Sequence, residues 1–170
     1  NDQGAAMQLA NADAAMSLTI TDNIVSGGGF DSGIFIYQYG TLGSIDALVA
    51  GNIVMGATIG EGRTGTGIAL YGNGGSLHFD AVNNTVAGNE VALFATGRPD
   101  LGASVTGLVA NNAFTDNSIL GFGVDPELWP SVANRNNLDS GNGVSGEGPT
   151  YDPGPGTVTA VLIDVLLGQD

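Results

Sequence analysis

An asparagine set among apolar residues returns along this chain at nearly regular intervals: TITDNIVSG around Asn23, LVAGNIVMG around Asn52, AVNNTVAGN around Asn84, LVANNAFTDN around Asn112 and VANRNNLDSGN around Asn137. The steps are 29, 32, 28 and 25 residues. Periods of this size, unequal but centred on one residue type, describe a solenoid whose stacked units bury one another and whose loops vary in length. Between the asparagines a second element repeats, in GAAMQLA at 4–10, GIFIYQY at 33–39, GIALYGN at 67–73 and EVALFAT at 90–96. Each coil therefore holds at least two strands.

Aligning the coils on the asparagine exposes the period of two that strands require. Five residues before it stand Leu18, Ala47, Phe79, Gly107 and Val132; three before it stand Ile20, Val49, Ala81, Val109 and Asn134. Two after it stand Val25, Val54, Val86, Phe114 and Asp139. These columns are expected to point inward and stack on themselves. The fifth coil fits worst, so the regular helix is expected to end near it.

The ladder residues Asn23, Asn52, Asn84, Asn112 and Asn137 then have a physical task. A carboxamide carries donors and acceptors, so copies stacked at the strand spacing of about 4.8 Å can bond each other and the local turn. Asparagine also tolerates the left-handed backbone that a tight bend needs. A weaker column five residues on, Asn89, Asn117 and Asn142, marks the next corner.

These five repeats and the intervening GIFIY and GIALY strands, over roughly residues 4–142, resemble the right-handed parallel β-helix repeat proteins of the pectate-lyase-like superfamily. The resemblance implies an all-β fold, a right-handed parallel β-helix of about five coils with a strand-like C-terminal tail. It implies less about activity, because that superfamily spans polysaccharide lyases, glycoside hydrolases, alginate epimerases, phage tailspikes, adhesins and structural proteins.

Composition narrows the partners. Seventeen acidic residues face only Arg63, Arg98 and Arg135, for a net charge of -14, which repels nucleic acid and anionic membrane surfaces. Scattered carboxylates and carbonyls suit hard cations, so Ca2+ is the one ion considered, with no metal-ligand set and no other cofactor expected. The plainer reading is that the charge keeps the surface soluble. Without cysteine there is neither a disulfide framework nor a thiolate metal site. The longest apolar run, VTAVLIDVLL at 158–167, is interrupted by Asp164 and falls well short of the roughly 20 residues of a membrane helix, so no membrane insertion is expected. Beginning at Asn1 without an initiator Met, the chain reads as a mature or excised piece of an exported bacterial precursor, placed outside the cell or on its surface.

Three regions follow: β-helix coils over 1–143, a Gly/Pro-rich connection over 144–156, and an apolar capping or docking segment over 157–170. GAAMQLA at the other end reads as a half-coil with an uncapped edge. On the outward face of the main strand one column reads Thr19, Leu48, Asp80, Leu108 and Ala133, and another Thr21, Ala50, Val82, Ala110 and Arg135. Leu48, Ala50, Val82, Leu108 and Ala110 form an expected apolar patch. Val161, Ile163 and Leu166 of the tail, or a second copy of the chain, are its expected cover.

The best catalytic constellation is Asp46, His78 and Asp80. Asp46 and His78 both lie six residues before their asparagine, and Asp80 lies two residues further along the same face as His78, about 6.6 Å away. Two carboxylates and an imidazole can do acid–base work. Against catalysis, the chain has no Lys and only scattered Arg, where lyases of the superfamily rely on such bases. It also lacks an adjacent Asp-Pro-His-Glu motif and a paired-Asp hydrolase motif. The glycine runs GNGG at 72–75 and SGGG at 26–29 read as turns, not phosphate loops. Trp129, the sole tryptophan, is a candidate sugar-stacking or interface residue. The sequon Asn83-Asn84-Thr85 falls at the expected inner turn, where a glycan would not fit.

The first functional expectation is a self-associating structural or adhesive module, a filament or surface-array subunit. The second is a carbohydrate-binding domain, and the third a polysaccharide-active enzyme of lyase or hydrolase type.

Overall fold

A computed structural model describes residues 4–26, 31–58, 64–143 and 158–159. Within them the chain repeats a triplet of strands. The first coil is β1 (Ala5–Asn11), β2 (Ala15–Thr21) and β3 (Ile24–Ser26); the second is β4 (Ser32–Gln38), β5 (Ser44–Ala50) and β6 (Ile53–Met55). The third is β7 (Thr66–Gly72), β8 (Ser76–Val82) and β9 (Thr85–Ala87), and the fourth is β10 (Val91–Gly97), β11 (Ser104–Ala110) and β12 (Ala113–Thr115). The fifth is β13 (Leu120–Val124), β14 (Val132–Arg135) and β15 (Leu138–Ser140), after which β16 (Val158–Thr159) follows.

Each strand pairs in parallel with its counterpart one coil away, giving three sheets: β1-β4-β7-β10-β13, β2-β5-β8-β11-β14, and β3-β6-β9-β12-β15-β16. The protein is a parallel β-solenoid. The register is the one that aligning the asparagines gives, for Ala47 faces Phe79 and Phe79 faces Gly107 along the second sheet. GAAMQLA is more than the expected half-coil. Six of its residues, with Asn11, form a seven-residue strand paired with β4 from Ala5↔Ser32 to Asn11↔Gln38, and they open a complete coil.

Two short corners make this possible. Between the second and third sheets, Asp22, Gly51, Asn83, Asn111 and Asn136 have φ between 55° and 68°. These residue types accept the left-handed region at least cost. The sequence reading assigned that conformation to the ladder asparagines, but the residue before each of them takes it. That frees the ladder residue to turn its carboxamide inward.

There the amides form a continuous chain. The Nδ2 of Asn23, Asn52, Asn84 and Asn112 each donates to the Oδ1 of the next ladder asparagine at 3.0 Å, and that Oδ1 also accepts the preceding asparagine's backbone N–H. A second Nδ2 hydrogen reaches a carbonyl of the coil before, as Asn84 does to Val49 at 2.9 Å. The next corner repeats the scheme with Asn89, Asn117 and Asn142, and Ala57 holds the equivalent place in the second coil.

Inside, Ile34, Ile68, Leu93 and Phe122 stack along the first sheet, and Val54, Val86 and Phe114 along the third. Phe79 is fully buried, and the absence of a side chain at Gly107 makes room for its ring: a Cβ there would lie 2.9 Å from ring carbons.

The two ends differ. In the first coil Met7, Leu9, Met16 and Leu18 are only partly buried against the core. In the fifth coil two inward positions become polar, and each accepts from the ladder asparagine that follows it: Asn137 Nδ2 donates to Asn134 Oδ1, and Asn142 Nδ2 donates to Asp139 Oδ1. The poor fit of the last repeat is therefore a pair of polar side chains bonded to the ladder amides. Asn134→Val, which restores the apolar residue of the other coils, is expected to lower stability by about 1–2 kcal/mol in chemical denaturation, because a buried amide donor loses its acceptor. Beyond this coil β16 adds a sixth strand to the third sheet through Leu138↔Val158 and Asp139↔Thr159. Val161, Ile163 and Leu166, like the connection over 144–156, lie outside the described residues.

Candidate functional site

The outward face of the second sheet carries the residues singled out from sequence. Asp46 and His78 are register partners, and Asp80 faces Leu48 one step further along. The hydrogen bond His78 makes is on its other side, where Nδ1 lies 3.0 Å from Thr106 Oγ1. His78 and Asp46 are both exposed. The expected apolar patch is thinner than its sequence suggests. Leu48 is 38 % exposed, while Ala50, Val82 and Leu108 are half-buried. Ala110, expected in the patch, is 2 % exposed and offers no surface. The neighbouring corner corrects a further expectation, since Asn83 of the sequon is exposed and only Asn84 turns inward.

A richer surface lies on the outward face of the first sheet, and the sequence reading missed it. Alternation in GIFIYQY and GIALYGN buries Ile34, Ile36, Ile68 and Leu70, and it turns Phe35, Tyr37, Tyr39, Ala69, Tyr71 and Asn73 outward. The parallel register then lays Tyr37 beside Tyr71 and Phe35 beside Ala69. Tyr37 and Tyr71 stack with ring centroids 5.1 Å apart and planes within 14°, and Phe35 continues the stack at 5.7 Å from Tyr37. Tyr39, 48 % exposed, meets Tyr37 at 5.4 Å with its ring tilted. These offset-stacked distances make one continuous aromatic ridge, not isolated rings.

Polar groups border the ridge. Asn73 Nδ2 donates to Tyr37 Oη at 3.2 Å. Past the strand ends, Asn73 N–H bonds the Gln38 carbonyl at 2.7 Å and Arg98 N–H bonds the Gly72 carbonyl at 2.8 Å, so Arg98 extends the Asn73 column. Arg98 grips Asp100 with two bonds, Nε to Oδ1 at 2.9 Å and Nη2 to Oδ2 at 2.7 Å. The bonds from Arg98 hold the Asp100 carboxyl below its usual range, and Asp100 in turn raises Arg98 above its ordinary value. One coil further on, Asp125 Oδ2 accepts from Thr96 Oγ1 and from the Gly97 N–H. Arg98, Asp100, Asp125 and Glu127 line an open cleft of about 430 Å³ at this end of the sheet. At the opposite end Thr66, Val91, Phe94, Ile119 and Leu120 border a smaller apolar hollow of about 210 Å³.

Chemically, this face offers π surfaces for the C–H faces of a ring and nearby donors and acceptors for hydroxyls. Among the described residues no three His, Asp or Glu side chains converge as a metal site, and no helix is long and apolar enough to cross a membrane. The signal in the sequence was the outward half of the two strand motifs, Phe35, Tyr37 and Tyr39 against Tyr71 and Asn73. Trp129 belongs to a single 3-10 turn, Trp129–Ser131, that follows the cleft loop in sequence.

Comparison with known proteins places the fold in a family without supplying an activity. A family model described as "Protein of unknown function (DUF1565)" matches residues 3–142. No curated protein and no solved structure matches the chain. With the match spanning the whole run of asparagine-centred coils, the chain belongs to the DUF1565 family of β-helix-type proteins.

Proposed function

We propose that this chain is a non-catalytic carbohydrate-binding β-helix of the pectate-lyase-like kind, acting outside the cell or on its surface. The observation that carries the reading is the continuous ridge of Phe35, Tyr37, Tyr39 and Tyr71 running into a cleft edged by Arg98, Asp100, Asp125 and Glu127. Stacked aromatics on a rigid parallel sheet provide a preorganised surface, so ligand binding orders few side chains. Catalysis by Asp46, His78 and Asp80 has weaker support, because that trio is exposed or half-exposed and His78 is bonded to Thr106.

Tyr71→Ala is expected to weaken binding of an oligosaccharide ligand about tenfold, near 1.4 kcal/mol, in isothermal titration calorimetry over a panel of oligosaccharides. Its melting temperature should change little, because Tyr71 is half-exposed. Unchanged affinity in the variant, or no glycan bound by the parent chain, would refute the reading.

Self-association is the second reading, favoured by Met7, Leu9, Met16 and Leu18 of the first coil, which are only partly buried against the core. A monomer at every concentration in size-exclusion chromatography would dismiss it.

A further inference from the structure

We infer that the glycan bound along the first sheet is an amino-sugar polymer and that uronate polymers are excluded; this rests on the carbohydrate-binding reading above. The cleft at the end of the ridge brings together three carboxylates, Asp100, Asp125 and Glu127, and one cation, Arg98. That cation is already committed. Two of its nitrogens are bonded to Asp100, at 2.7 and 2.9 Å. The Arg98–Asp100 pair is close to neutral, so Asp125 and Glu127 set the sign of the cleft. Asp125 is fixed by its bonds from Thr96 and Gly97, both made to Oδ2, and its Oδ1 remains as an acceptor beside the exposed Glu127. A ring stacked on Tyr71 and extending past Arg98 therefore meets two carboxylates. A protonated amine at that point gains charge-assisted hydrogen bonds, whereas a uronate carboxylate meets like charge. The net charge of -14 deepens the repulsion at longer range. The aromatic ridge makes the surface a sugar site, and the carboxylates choose among sugars.

The test is calorimetric titration of the full chain with three oligomers of equal length: glucosamine, N-acetylglucosamine and galacturonate. The expected order is glucosamine at least fivefold tighter than N-acetylglucosamine, with no galacturonate binding, and the gap should narrow as salt rises from low to physiological strength. Glu127→Gln and Asp125→Asn should each reduce the glucosamine preference while N-acetylglucosamine affinity holds. Asp22→Asn, the same loss of one charge at an exposed corner between the second and third sheets, should leave the preference intact. If Asp22→Asn lowers it as much as Glu127→Gln, the attraction is an overall charge effect and the inference fails. Galacturonate binding as tightly as glucosamine, or equal affinity for the amino and acetylated oligomers, also overturns it but leaves carbohydrate binding standing. No binding of any oligomer removes both.

Discussion

Asn84→Ala is expected to cost about 3–5 kcal/mol of folding stability, measured by urea denaturation followed by far-ultraviolet circular dichroism. The cost follows from position in the ladder. Asn84 Oδ1 accepts the Asn52 N–H and Nδ2, both at 3.0 Å, while its own Nδ2 bonds the Val49 carbonyl at 2.9 Å and Asn112 Oδ1 at 3.0 Å. Alanine removes all four bonds at once. The partners are left in the interior, because Asn52, Val49 and Asn112 are at most 2 % exposed. A buried donor or acceptor left without a partner costs roughly 1–3 kcal/mol, which is why the loss exceeds that of an ordinary surface hydrogen bond. Asn23→Ala provides the contrast. Asn23 is half-buried in the first coil and is bonded to Asn52 on one side only among the described residues, so about 1 kcal/mol is expected. Equal costs for the two variants would mean that the ladder is not the cooperative element described.

Phe79→Ala is expected to cost a comparable amount, about 3–5 kcal/mol, for an apolar reason. The ring is fully buried in the middle coil, in a column where its immediate neighbours are Ala47 and Gly107. One large side chain thus fills volume that its neighbours leave, and both neighbouring coils close over it. Truncation leaves a cavity that parallel backbone pairing on either side cannot collapse, since the strands are held in register by β5 and β11. Gly107→Ala should also destabilise the fold, by about 1–3 kcal/mol, because its new Cβ runs into the Phe79 backbone carbonyl oxygen and also meets the ring at 2.9 Å. Combining Phe79→Leu with Gly107→Ala should recover little of that loss, because the close approach to the Phe79 carbonyl remains whatever the side chain, which the same denaturation experiment reads.

The scaffold was legible because the solenoid writes its geometry as recurrence. A residue that must bond its own copy one coil away has to be the same residue in each coil, so Asn23 to Asn137 carry the coil length and the register together. The preceding column, Asp22, Gly51, Asn83, Asn111 and Asn136, is written in the sequence too, but its residue type changes from coil to coil, so it does not recur as one letter the way the ladder asparagine does. The strands of the third sheet are two or three residues long, too short for an alternation of two to stand out.

The candidate site was less accessible for a different reason. Its parts come from Tyr37, Tyr71, Arg98 and Asp125, spread over nearly ninety positions, and only the stacking of four coils brings them to one edge. In the sequence the tyrosines served as repeat markers for the inward residues between them. Asp46 and His78 were placed correctly in register, yet the choice of Thr106 as the hydrogen-bonding partner of His78 is a matter of side-chain rotamer that no alignment of coils contains.

The most direct test of the functional account is a titration of the isotopically labelled chain with an amino-sugar oligomer, read as backbone chemical-shift changes by nuclear magnetic resonance. The account predicts a contiguous set of shifts over Tyr37, Tyr71, Asn73, Arg98 and Asp125, with the second sheet silent. Shifts centred on Asp46, His78 and Thr106, or none at any oligomer concentration, would contradict it.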